Sequence, residues 1–206
     1  MQSNPFSTRY IQPGAIPYHL FDGGSVSELT SRFLKLPSKR GCIVGPHGSG
    51  KSTLVASLVH ELQCQIPDVR IQPLRFSTEQ QASKSLNASL CEWTHSSIAI
   101  LDGFEQLALW SRLKVAWVAH KKRVRILATA HQSISGFETL WCTSVSDDSA
   151  YWVIEQLLQD SNLPQGEAQN MLTQLLASDD WKQSRQKHGQ NLRETLFDMY
   201  DWWQKR

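Results

Sequence analysis

The chain has 206 residues, 40% of them hydrophobic and 19% charged, which fits an ordinary soluble globular protein of one α/β domain with a small appendage. A formal charge of +2 is too small to argue for nucleic acid or an anionic membrane surface as a partner. No apolar run approaches the roughly 20 residues that span a bilayer, so no membrane association is expected.

The opening stretch, "MQSNPFSTRYIQPGAIPYHLF", has no charged-then-apolar leader layout. Cys42, Cys64, Cys91 and Cys142 form no CxxC pair and no metal-binding spacing, and a reduced, cytoplasmic protein is expected. The eight tryptophans are scattered, which reads as core and interface filling rather than base stacking.

Residues 1–24 carry Pro5, Pro13 and Pro17 and read as an extended N-terminal segment. Ser25 and Glu28 are spaced as a capping box, Val26, Leu29 and Phe33 follow at helical spacing, and Pro37 closes that helix. "GCIVG" is a buried strand, and Leu54, Leu58 and Leu62 stripe a helix beyond the glycine-rich turn that follows it. "VRIQPLRFS" (69–77) reads as a second strand, with Pro73 making it an edge or bulged one, and residues 79–90 favour a helix.

"SSIAILDGFEQL" is a strand ending in Asp102 that runs into a helix striped by Leu109, Leu113, Ala116 and Trp117. "RVRILATAHQS" (123–133) and "FETLWCTSVS" (137–146) are the fourth and fifth strands. Strands separated by helices imply a parallel sheet with helices on both faces, over residues 25–146. From Asp147 the period is 3.6. Three stripes, around Ile154, Leu172 and Leu196, predict a small helical lid over 147–206.

Residues 45–52, "GPHGSGKS", satisfy G-x-x-x-x-G-K-S/T in full, between a strand and a helix. Backbone N–H groups of Gly45, Pro46-flanked His47, Gly48, Ser49 and Gly50 can turn inward on a phosphate, and the helix N-terminus adds its positive end. Lys51 can reach the β- and γ-phosphates, the Ser52 hydroxyl can ligate Mg²⁺, and Thr53 completes the loop. Asp102, at the carboxyl end of its strand, faces the same crevice and can hold the water shell of the magnesium.

Hydrolysis also needs a group that orients water. Gly103 follows Asp102, so the nearest carboxylate is Glu105, expected in the first turn of the next helix. Its other reading is a favourable helix-start charge. Thr129 and His131 end the next strand, where His131 can touch the γ-phosphate or the attacking water, or simply cap the strand end. The basic run "HKKRVR" (120–125) reads as a solvated turn ahead of a phosphate-backbone patch, so nucleic acid is a weakly supported partner.

With these residues in view, the chain resembles the AAA-plus and related ATPases of the P-loop superfamily over roughly residues 40 to 205. The likeness rests on "GPHGSGKST", "IAILDGFEQL", "ILATAHQS" and "GQNLRETLF". It implies a three-layer P-loop fold with a helical lid, ATP and Mg²⁺ as cofactors, and ATP hydrolysis coupled to a protein partner or to self-association. It also implies that Arg193 reaches over the nucleotide and that Asn191 caps its helix in a box with Glu194. Arg112, Arg123 and Arg125 are available as trans-acting arginines, with no motif selecting one. Two departures stand out: Gln190 separates Gly189 from Asn191, and the usual Asp-Glu pair is Asp102-Gly103. A small-molecule or nucleotide kinase and a nucleotide-gated binding module are the alternative readings.

Overall fold

Five short strands pair into a parallel sheet in the computed structural model, which describes residues 4–21, 23–74, 78–161 and 163–205. They are β1 (Arg40–Val44), β2 (Val69–Pro73), β3 (Ile98–Asp102), β4 (Arg125–Ala130) and β5 (Glu138–Cys142), in the order β2-β3-β4-β1-β5. The fourth strand in sequence therefore lies between the first and the third. Its register sets Asp102 opposite Thr129 and Val44 opposite Ala130, so the carboxyl ends of β1, β3 and β4 share one edge. Pro73 closes β2 at the sheet margin, where a missing N–H costs no ladder bond.

Alternation along the strands divides the apolar side chains between two faces. Ala99 and Leu101, Ile126 and Ala128, and Cys42 enter one cluster. They meet Leu86 and Leu90 of α4 (Glu79–Glu92) and Val115, Val118 and Ala119 of α5 (Leu109–Lys122). On the other face α2 (Val26–Lys35), started by the Ser25–Glu28 capping box, lays Phe33 over Gly41. A Cβ on Gly41 would stand 2.4 Å from Leu140 of β5, so only glycine admits this approach.

The sheet and these helices form one compact unit, made of the segment ending at Gly45 and of Ser57–Cys142. The second unit gathers the N-terminal segment through Phe21, Pro46–Ala56 and the chain from Thr143 onward. Its core sets Phe6 and Val145 among Ile154 of α6 (Asp147–Gln159), Leu172 of α7 (Gln165–Ala177), Trp181 of α8 (Asp179–His188) and Met199 of α9 (Leu192–Gln204). Ser146 and Ser178 cap α6 and α8, each accepting from a backbone N–H three residues on. The Asn4 side-chain amide donates to the Tyr200 carbonyl at 3.1 Å, tying the N-terminal segment to α9.

Several local expectations change. The segment expected to be extended contains a one-turn helix, α1 (Thr8–Ile11). Among the described residues the tail holds four helices rather than three stripes, because α8, "DDWKQSRQKH", is too polar to announce itself by periodicity. The second strand ends at Pro73, and residues 75–77 of its expected span lie outside the described residues. Glu105 lies in a separate 3-10 turn, Phe104–Gln106, ahead of α5. The stripe Leu109, Leu113 and Trp117 faces solvent, while Val115, Val118 and Ala119 face the core. Among the described residues no helix is long and apolar enough to cross a membrane.

Candidate nucleotide-binding site

Where β1 ends the ladder continues for one more bond, from the Gly45 N–H to the Ala130 carbonyl. The chain then turns through the glycine-rich loop and enters α3 (Lys51–Gln65) at Lys51. Gly48 at φ +68° and Gly50 at φ +91° both occupy the left-handed region that glycine adopts without a Cβ penalty. Ser49 is buried between them; its hydroxyl donates to the Pro46 carbonyl at 2.8 Å and accepts from the Thr143 hydroxyl at 2.6 Å. The loop is thus pinned from inside by one serine while Pro46 and His47 stay exposed.

The Lys51 ammonium donates to the Pro46 carbonyl at 2.7 Å, which holds it back across the loop. Ser52 and Thr53 occupy the first turn of α3, beside N–H groups that have no intrahelical partner. Backbone donors, an ammonium and two hydroxyls form a donor set suited to a polyphosphate and its magnesium. The loop glycines are also closely covered. The Tyr18 ring lies 2.9 Å from where a Cβ on Gly50 would be, and the Asn191 Oδ1 lies 1.8 Å from where one on Gly48 would be.

In the sheet unit, the second group of candidate residues clusters at the polar ends of β3 and β4. The buried Thr129 hydroxyl donates to Asp102 Oδ1 at 2.6 Å and accepts from the Gly103 N–H at 2.8 Å. Asp102 is oriented by this bond. Gly103 holds φ +95°, a conformation that a glutamate would adopt only with strain. The Asp102-Gly103 pair is therefore a feature of the turn itself.

Glu105 and His131 meet at 3.1 Å, Oε1 to Nε2, and the other ring nitrogen of His131 lies 3.1 Å from the Gly45 carbonyl. Glu105 Oε2 is buried and has no hydrogen-bond partner among the described residues. A water at that oxygen would satisfy it. Arg112 secures the turn that carries Glu105: it donates to the Glu105 and Leu107 carbonyls at 2.8 Å each and stacks over Phe104.

This engagement removes Arg112 from the arginines available to act elsewhere. Arg125 is engaged too, its guanidinium donating to the Leu36 carbonyl, and burial lowers its pKa from the usual arginine value. Lys122 donates to the Leu90, Cys91 and Trp93 carbonyls and closes the C-terminal end of α4. The basic run 120–125 is thus partly structural. Arg123, by contrast, is exposed.

In the helical tail, Arg193 and Glu194 are exposed. The expected capping box does not form, because the Asn191 side chain makes no cap bond to α9. Its Oδ1 is instead buried against Gly48 with no hydrogen-bond partner among the described residues. Gln190 explains its own insertion: its amide accepts from the Val145 N–H at 2.7 Å and donates to the Val145 carbonyl at 3.1 Å. Sequence reasoning missed this fork, along with Thr143 and Tyr18, since none carries a local spacing signal.

No protein-family model matches this chain, and no curated protein matches it. Solved structures do match. A Thermotoga maritima RuvB P216G mutant aligns at TM-score 0.50 and 13% identity, covering 89% of this chain and 73% of that one. Domain III of the Thermotoga maritima replication initiation protein DnaA aligns at 0.47 and 12%, covering 85% and 90%. C. elegans PCH-2 aligns at 0.45 and 10%, covering 88% and 67%. At such identities the RuvB match is a likeness of fold alone, and it agrees with the five-stranded parallel sheet. The chain has an α/β fold built on a five-stranded parallel sheet with helices, and it shares that fold with the RuvB structure.

Proposed function

We propose that this chain is a small Mg²⁺-dependent ATPase of AAA-plus-like type, which couples ATP binding and hydrolysis to a partner. The observation that carries the reading is the loop after β1. Two left-handed glycines flank a buried serine and deliver Lys51 to the first position of α3. In this reading the loop from Gly45 to Thr53 binds the phosphates, and the Lys51 ammonium leaves the Pro46 carbonyl to counter their charge. Ser52 and Asp102 hold the magnesium, whose chemistry is to neutralise charge on the phosphate oxygens.

Among the described residues no group of three or more His, Cys, Asp or Glu could hold a metal alone. Glu105 orients the attacking water through its unpartnered oxygen, and His131 holds Glu105 in place. Arg193 enters by the resemblance alone, as the lid residue facing the γ-phosphate. A cytoplasmic setting is part of the same proposal.

Gly103 favours a second reading, a nucleotide-gated binding module with little hydrolysis, because its left-handed turn excludes a glutamate next to Asp102. The test is calorimetric titration of Mg-ATP into wild-type protein and Lys51→Ala, with phosphate release measured across protein concentration. Loss of affinity in the variant is expected, and equal affinities would overturn the nucleotide reading. Binding without phosphate release selects the binding module, and transfer only to an added acceptor selects a kinase.

A further inference from the structure

The helix α5 buries Val115, Val118 and Ala119 and turns its largest side chains away from the core. Trp110 is 79% exposed, Leu109 66%, Trp117 63% and Leu113 51%. On a helical wheel these four fall in a continuous stripe, with Trp110, Leu113 and Trp117 at the i, i+3, i+7 spacing of a helix–helix seam. Single exposed apolar residues need no explanation, but a contiguous row containing two tryptophans marks an interaction surface.

Charge narrows the partner. No acidic residue occurs between Leu109 and Lys122, whereas Lys114 and Lys121 lie along one edge of the stripe. Lys121 also sits over the Trp117 ring at 5.2 Å. A second copy of α5 would bring lysine against lysine with no carboxylate to answer it, so the charge argues against self-pairing. Leu109 and Leu113 offer nothing to stacked bases, which speaks against a single-stranded nucleic acid. A helix lying in a membrane surface carries its cations across its whole polar face, whereas here the two lysines follow one margin of the stripe.

We propose that the exposed face of α5 docks an amphipathic helix of a different protein, one that presents an acidic row beside its apolar stripe. Trp110, Leu113 and Trp117 seat that helix, and Lys114 and Lys121 set its orientation.

The test uses the full chain and a synthetic three-heptad helical peptide with leucine at the seam positions and glutamate on both flanks. A second peptide carries lysine in place of glutamate. The acidic peptide should bind wild type, and at least ~10-fold more weakly to the double variant Trp110→Ala/Trp117→Ala, a loss of about 1.4 kcal/mol. The charge-reversed variant Lys114→Glu/Lys121→Glu should lose the acidic peptide and gain the basic one. Unchanged circular dichroism would show that these surface variants fold. No binding of the acidic peptide, or equal binding to all variants, would overturn the proposal. So would tighter binding to phosphatidylserine-containing vesicles or to an oligothymidylate.

Discussion

Asn191 places its side-chain oxygen 1.8 Å from where a Cβ on Gly48 would stand, so that the residue before α9 fills the space that any other residue at position 48 would need. Gly48→Ala therefore meets two penalties, the left-handed φ of +68° and a collision with Asn191. Together they should cost about 2 kcal/mol or more. Adding Asn191→Gly should return the collision part only. Urea unfolding of the two single variants and the double variant measures this, and strict additivity would mean that the two residues do not touch.

Thr129 provides a second test that needs no nucleotide. Its hydroxyl links Asp102 Oδ1 to the Gly103 N–H, and both lose a buried partner in Thr129→Val. The expected loss of stability is about 1–3 kcal/mol. Thr129→Ser, which keeps the hydroxyl, should recover most of it in the same denaturation series. Equal losses in the two variants would assign the effect to packing.

The Glu105–His131 pair separates binding from turnover. Glu105→Gln should leave Mg-ATP affinity within about twofold and cut phosphate release by roughly 10²-fold, the scale of a general-base contribution. His131→Ala should act through the same carboxylate, so the double variant should be little slower than Glu105→Gln alone. Multiplying losses in single-turnover measurements would instead mean that the two residues act independently.

Asp198 makes the helical tail sensitive to acid. Burial opposes its ionisation, but the Ser184 hydroxyl at 2.7 Å, the His188 ring at 3.0 Å and the Lys187 charge outweigh it and hold the carboxyl below its usual range. A depressed folded-state pKa adds stability above the unfolded value, near ~3.9, and this is lost as pH falls through the folded value. Asp198→Asn should therefore be destabilised at neutral pH and approach wild type as the pH drops below about 4. Thermal unfolding across that range checks it, and a pH-independent difference would remove Asp198 from the acid response.

The five strands, the loop and the Ser25–Glu28 cap were legible because each carries a local signal: a short apolar run, a glycine spacing, a capping pair. The exposed face of α5 was not. Its sequence holds two apolar stripes, Leu109/Leu113/Trp117 and Val115/Val118/Ala119, and periodicity favours the one with larger side chains. Which face turns inward depends on how much room α4 and the sheet leave, a tertiary quantity. Asn191 misled in a related way. Asparagine before a helix and glutamate three residues later spell a cap, yet the side chain is drawn to Gly48, more than a hundred residues earlier.

The position of β4 has a consequence for how the protein is made. Neither β1 nor β3 pairs with the other; each finds its neighbour in β4, which is translated after both. A nascent chain that has reached Asp102 can hold β2 against β3, but β1 and the glycine-rich loop after it remain without a sheet partner. Only when Arg125–Ala130 leaves the ribosome can the two halves join. These separations are long and their closure is slow, so the apolar strand Gly41–Val44 is exposed throughout synthesis of the intervening eighty or so residues. During that interval the unpaired apolar strand is open to aggregation, and a pause in translation before Arg125–Ala130 has emerged would lengthen the hazard.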